Sequence, residues 1–199
     1  MQTMTLITNL VFVNLLWLLC SLPIITAGAA TSAMYSVLFA YREKKTDSVF
    51  KPFFSAFKRN FRQSTVIWLI LLAVTLVLGY DVLYLIFKIK KFSFLGIPVI
   101  IAGLLVLISG AYIFPQIAMF QNKLISMVKN SFLLFMLFPI LSVAIILLNL
   151  LPWILLLFSP QVFWLTILVW TLIGFALLAY LNCYLLHFIF KRYLPTQEE

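Results

Sequence analysis

The chain has 199 residues, of which 65% are hydrophobic and only 10% charged, with a formal net charge of +9. Its mean hydropathy is +1.16. A water-soluble domain carries roughly 45–50% apolar and about 25% charged residues, so a soluble fold of this length has no way to hide so much apolar surface. The composition therefore predicts an all-α polytopic membrane bundle in which each span satisfies its own backbone hydrogen bonds.

The basic excess does not point to nucleic acid, because the Lys and Arg residues lie in the gaps between apolar runs. Such clusters orient membrane proteins and meet anionic lipid. The two cysteines, Cys20 and Cys183, both sit within apolar runs and form no disulfide framework. With one histidine and no Cys/His cluster, no metal site is expected. Phosphate-loop, serine-hydrolase and zinc-protease motifs are absent, so neither an enzyme nor a bound cofactor is expected.

In chain order, the first apolar stretch runs from Leu6 to about Tyr41. Ala27-Gly28-Ala29 resembles a signal-peptidase site. However, no Lys or Arg precedes Arg42, and the apolar run exceeds the 7–15 residues of a signal core. The segment reads as a retained first span. As a single helix its 36 residues would extend about 54 Å, against a hydrocarbon core of about 30 Å. Pro23 and Gly28 offer a break. The expected pieces are a span over 6–25 and a packing helix over 29–41, which looks too short to cross alone. Ala29, Ser32, Ala33 and Ser36 give that helix a small-residue surface suited to close packing. The bend, with Pro23, Thr26, Gly28 and Thr31, is a candidate packing, partner or substrate-lining site. The plainer alternative is a kink that ends the first span.

The next segment, 49–62, places Phe50, Phe53, Phe54, Phe57 and Phe61 at helical spacing among Lys51, Lys58, Arg59 and Arg62. Aromatic residues beside basic heads predict a helix lying in the membrane interface. Its residues Phe53, Phe54, Phe57, Lys58 and Asn60 form a candidate cytoplasmic surface, either anchoring the bundle or docking a partner.

Four further spans are expected over 65–87, 94–120, 131–158 and 162–190, each long enough to cross. Together with the first they make one transmembrane domain, 1–199, of about five spans. A faint repeat is visible: Arg59-Asn60 precedes the second span and Lys129-Asn130 the fourth, with Pro23 and Pro115 earlier in the odd spans. Chance accounts for it equally well.

Basic residues set the expected orientation. Arg42, Lys44, Lys45, Lys51, Lys58, Arg59, Arg62, Lys123, Lys129, Lys191 and Arg192 fall on one side, and Lys88, Lys90 and Lys91 on the other. Eleven against three puts the C-terminus in the cytoplasm and the N-terminus outside.

Few residues within the spans carry chemistry. Asp81 is the sole acid, and intramembrane acids are candidates for proton or substrate work; the alternative is a polar contact near the interface. His187 lies one turn before Lys191. Asn14, Asn149 and Asn182 read as hydrogen-bonding glue between helices, or, if they converge, as the lining of a pathway. Trp68, Trp153 and Trp164 suit an aromatic belt, and Trp17 and Trp170 suit internal packing.

One stretch is more specific. The run Asn14-Leu15-Leu16-Trp17-Leu18-Leu19-Cys20-Ser21-Leu22-Pro23 is followed by Thr26, Gly28, Ala30, Thr31, Ala33 and Tyr35. Phe53-Phe54-Ser55-Ala56-Phe57-Lys58-Arg59-Asn60-Phe61-Arg62-Gln63 comes next. Over residues 9–70 this resembles the YesL family of bacterial integral membrane proteins, a family of unknown function. The resemblance implies a Gram-positive-type bacterial plasma membrane. It also implies an accessory role in carbohydrate uptake, with sugar ABC permease subunits as partners beside the lipid bilayer. The chain lacks the E-A-A-type loop that ABC permeases offer their ATPase, so it does not read as a permease itself. The alternative function is a small carrier or channel, which needs polar groups converging at mid-membrane.

Overall fold

The computed structural model describes residues 2–46, 48–85, 96–120, 123–155, 164 and 167–193. Among them the secondary structure is helical, in the order α1 (Gln2–Ser21), α2 (Ala27–Arg42), α3 (Phe50–Tyr84), α4 (Gly96–Met119), α5 (Leu124–Leu137), α6 (Pro139–Leu155) and α7 (Phe175–Tyr193). A short 3-10 turn, Ile24–Thr26, joins α1 to α2, and a π-helical turn, Trp170–Gly174, leads into α7. Among the described residues, five helical stretches are long and apolar enough to cross a membrane: Met4–Ser21, Ile24–Arg42, Phe50–Tyr84, Gly96–Met119 and Ile167–Lys191; the bent pair α5 and α6 makes a sixth candidate if it counts as one span.

Five unbroken candidates match the expected number, but their membership differs, and the bent α5–α6 pair raises the total to six if it crosses as one span. The segment expected as a short packing helix over 29–41 begins earlier, and with the 3-10 turn it reaches 19 residues. Conversely, the span expected over 131–158 is broken. Its first half belongs to α5 and its second to α6, and the two are bent by 114° at a break around Phe138. Pro139 explains the break: proline lacks a backbone donor, and it pushes the residue before it out of the helical region. Phe138 has φ −128 and ψ 60 accordingly.

α2 is the central shaft. Gly28, Ala29, Ala30, Ser32, Ala33, Met34, Tyr35, Val37, Leu38 and Phe39 are all buried, and α1, α3, α4 and α7 pack around it. A helix buried on nearly every side needs small residues where neighbours come closest, and the α2 sequence supplies them. A Cβ placed on Gly28 would overlap the Trp68 Cβ and lie 2.6 Å from the Ser64 carbonyl oxygen.

α3 is one continuous helix of 35 residues, about 52 Å long. The interfacial helix expected over 49–62 is therefore not separate from the span expected over 65–87. Pro52 lies in the first turn, where proline is tolerated, and no glycine or proline follows until Gly79. Its first half buries Phe53, Ala56, Asn60, Ser64 and Ile67 as a stripe. Residues 69–84 include no buried side chain, as expected of a helix surrounded by lipid.

Contacts along the helices fix their relative directions. Phe12 meets Phe50 at the start of α3, with ring centroids 5.2 Å apart, while the Trp68 indole farther along α3 donates to the Ile24 carbonyl at 2.7 Å. α1 and α3 thus run the same way. α2 runs opposite to both, since Gly28 packs on Ser64 and Trp68. At the other end of α2, Glu43 approaches His187 of α7, so α2 and α7 end together. The start of α1 and the end of α7 share the basic end of the bundle. Charge counting over five spans expected the two termini on opposite sides; a shared end goes with the α5–α6 pair crossing as a sixth span. The difference comes from counting the stretch 6–41 as one crossing, whereas it folds into two antiparallel helices.

Candidate functional site

The bend expected to form a site is a closed turn. The Thr26 hydroxyl donates to the Cys20 carbonyl at 2.6 Å and lies 2.9 Å from the Pro23 carbonyl. The Thr26 amide also donates to the Pro23 carbonyl, at 2.7 Å. The Trp17 indole donates to the Thr31 hydroxyl at 3.0 Å, tying α1 to α2. Pro23 itself is exposed and Gly28 is buried. The four residues Pro23, Thr26, Gly28 and Thr31 thus lie together and build a tight helix junction, with Gly28 admitting the α3 backbone.

The aromatic segment divides. Phe53 is fully buried in the core and stacks on Phe57, with centroids 6.4 Å apart. Phe54 and Lys58 face outward. Asn60 is buried; the Arg59 side chain donates to its carbonyl oxygen at 3.4 Å, while its amide nitrogen has no partner among the described residues. Phe53, Phe57 and Asn60 therefore serve the interior at least as much as a surface. Asp81 is partly exposed near the end of α3, and no hydrogen bond or ion pair links its carboxylate to the described residues. Lys88, Lys90 and Lys91 lie outside the described residues.

The asparagines do bond between helices. Asn14 donates to the carbonyls of Trp170 (3.0 Å) and Thr171 (2.8 Å), and its side-chain oxygen accepts from the Ala176 amide (2.9 Å). A π-helical turn leaves backbone groups out of register, and Asn14 supplies partners for three of them. The Asn182 amide donates to the Asn149 side-chain oxygen (3.0 Å) and the Tyr35 hydroxyl (3.4 Å). Ser64 donates to Ser32 (2.9 Å), Gln116 donates to Ser131 (2.9 Å), and the Tyr112 and Ser142 hydroxyls share a 2.6 Å bond. Asn149, Asn182 and Tyr35 converge, while Asn14 stands apart at the π turn. Trp17 and Trp170 both pack on Phe175, as expected of internal tryptophans.

One cluster was not visible in the sequence. At the basic end, Arg42 at the end of α2 meets His187 and Lys191 of α7 beside an open cleft. The two segments are nearly 150 residues apart, so only the packing of α2 on α7 brings them together. α2 ends there in a Schellman motif: the Lys45 amide donates to the Ala40 carbonyl at 2.9 Å, and Lys44 takes a left-handed φ of 55°. Among the described residues, no group of three or more His, Cys, Asp or Glu side chains is placed to hold a metal ion. The faint repeat finds no structural counterpart, since Pro23 lies in a turn and Pro115 inside α4.

Residues 10–82 match the family described as "Protein of unknown function, DUF624". That stretch covers the second half of α1, all of α2 and most of α3, the part that carries the sequence resemblance. No curated protein and no solved structure matches the chain.

Proposed function

We propose that the chain is a non-enzymatic membrane accessory protein that works through contacts with partner subunits in carbohydrate uptake. The reading of a YesL-type protein beside a sugar ABC importer, in a bacterial plasma membrane, comes from the resemblance over residues 9–70. The match of residues 10–82 to a family of unknown function is in keeping with it. The structural observation that supports it best is the fate of the buried polar side chains. Asn14, Ser32, Ser64, Tyr112, Gln116, Ser131 and Ser142 bond across helices or to helix backbone, which stiffens a bundle and leaves those groups unavailable to a solute.

A second reading, a small carrier or channel, draws on one place. The Asn182 side-chain oxygen is buried without a partner among the described residues, beside Asn149 and Tyr35. A polar pair with spare acceptor capacity inside a bundle is where a solute path would begin.

Affinity capture in mild detergent from the native host, paired with sugar flux in proteoliposomes, separates the two. Permease subunits in the eluate with no flux from the purified chain support the accessory reading. Flux without a partner, lost in Asn182→Leu, replaces it with the carrier.

A further inference from the structure

Arg42, His187, Phe188 and Lys191 line an open cleft of 360 Å³ at the basic end of the bundle. Arg42 comes from the last turn of α2, and the others come from α7. The Arg42 guanidinium is held over the Tyr184 ring, 4.5 Å from its centroid. One of its terminal nitrogens, Nη1, is buried and has no acceptor among the described residues. A buried charged donor without an acceptor is costly, and guanidinium is charged at any ordinary pH. The adjacent carboxylate does not fill the gap: Glu43 pairs with Lys45 at 2.6 Å and stands 3.9 Å from His187 Nδ1.

A plainer explanation is that basic residues at helix C-termini oppose the helix dipole. That accounts for a cation at the end of each helix. It does not account for their convergence on one cleft.

We propose that this cleft binds a phosphate-bearing anion. Arg42 and Lys191 hold the phosphate oxygens, and His187 contributes a further donor. Guanidinium presents a planar fork that matches phosphate, and an ammonium adds a point charge. The cleft opens where long apolar helices end, the level at which lipid headgroups lie. Phe188, exposed on its rim, offers an apolar wall to an acyl chain. A phospholipid headgroup and free phosphate share the recognising chemistry, and two probes separate them.

The full chain is reconstituted in nanodiscs of phosphatidylcholine with a minor share of phosphatidylglycerol, and native mass spectrometry counts the phosphatidylglycerol retained. In parallel, thermal unfolding in pure phosphatidylcholine nanodiscs is followed against inorganic phosphate at fixed ionic strength. Arg42→Gln and Lys191→Gln are compared with Lys51→Gln, an exposed lysine away from the cleft. Losing one charge-assisted contact should weaken binding about tenfold in both cleft variants and leave Lys51→Gln like wild type. A tenfold loss for phosphatidylglycerol identifies a lipid site; a tenfold loss for inorganic phosphate alone identifies a soluble ligand. Arg42→Gln also gives up its contact with Tyr184. Lys191→Gln, exposed at the end of α7, is therefore the deciding variant if Arg42→Gln does not fold. If Lys191→Gln binds both probes as wild type does, the proposal is overturned.

Discussion

Gly28 sits where α2 meets the backbone of α3, and Gly28→Ala tests that close approach with a single methyl group. The new Cβ would overlap the Trp68 Cβ, lie 2.6 Å from the Ser64 carbonyl oxygen, and lie 3.1 Å from Phe114 Cε1. Two of these three neighbours are the backbone or first side-chain carbon of α3, which cannot swing aside as a side-chain tip can. Restoring ordinary contact distance requires α2 and α3 to separate by about 1 Å. Overpacking of this kind costs about 1–3 kcal/mol. The separation also strains the Ser64–Ser32 bond at 2.9 Å and the Trp68–Ile24 bond at 2.7 Å, each worth roughly 0.6–2 kcal/mol within a membrane. Against this, alanine gains about 1 kcal/mol of helix propensity over glycine. The net expectation is a loss of about 1–4 kcal/mol. Gly103 and Gly110 are internal controls, because a Cβ at either meets nothing within 4 Å. Gly103→Ala and Gly110→Ala should be neutral or stabilising by up to about 1 kcal/mol. Reversible unfolding in mixed micelles, with monodisperse yield as a second readout, ranks the three. Equal stability of Gly28→Ala and Gly103→Ala would refute the close approach of α2 to α3.

Asn14→Ala removes the partners of the Trp170 and Thr171 carbonyls and the Ala176 amide; it should cost about 1–3 kcal/mol in the same unfolding assay, and no loss would mean the π turn needs no cap. Lys44→Gly relieves a left-handed backbone at the end of α2 and should stabilise by about 1 kcal/mol; destabilisation would show that the Lys44 side chain holds something this backbone reasoning omits. Reporter fusions before residue 2, after residue 44 and after residue 192 should all read the same side of the membrane, because α1 and α2 form an antiparallel pair; an N-terminal reporter on the opposite side would refute that pairing. Asp81→Asn should change stability by no more than about 0.5 kcal/mol, since no described group pairs with its carboxylate; a large loss of stability or of uptake would return Asp81 to the candidate site.

How much of this was legible in the sequence depends on the range of the interaction involved. Length and hydropathy act locally, so the helical membrane class and the α4 span over 96–119 followed directly. Gly28 and its small neighbours also announced close packing, because only a near neighbour explains a run of residues without bulk. The α1–α2 hairpin was harder. Its turn is made by Pro23 and by hydroxyl bonds from Thr26 that no hydropathy window detects, so the stretch read as one crossing rather than two. Pro139 likewise carried the break between α5 and α6, but its apolar surroundings hid it inside a stretch of span-like length. The Phe-rich segment was ambiguous in a third way. Helical spacing of phenylalanines among basic residues is shared by an interfacial helix and by the inner end of a long span. The structure splits the segment: Phe53 is buried against the core, while Phe50, Phe54 and Phe61 stay exposed. The basic cleft lay beyond sequence reasoning altogether. Arg42 and Lys191 each read alone as a helix-end cation, and the cluster exists only because α2 and α7 end side by side.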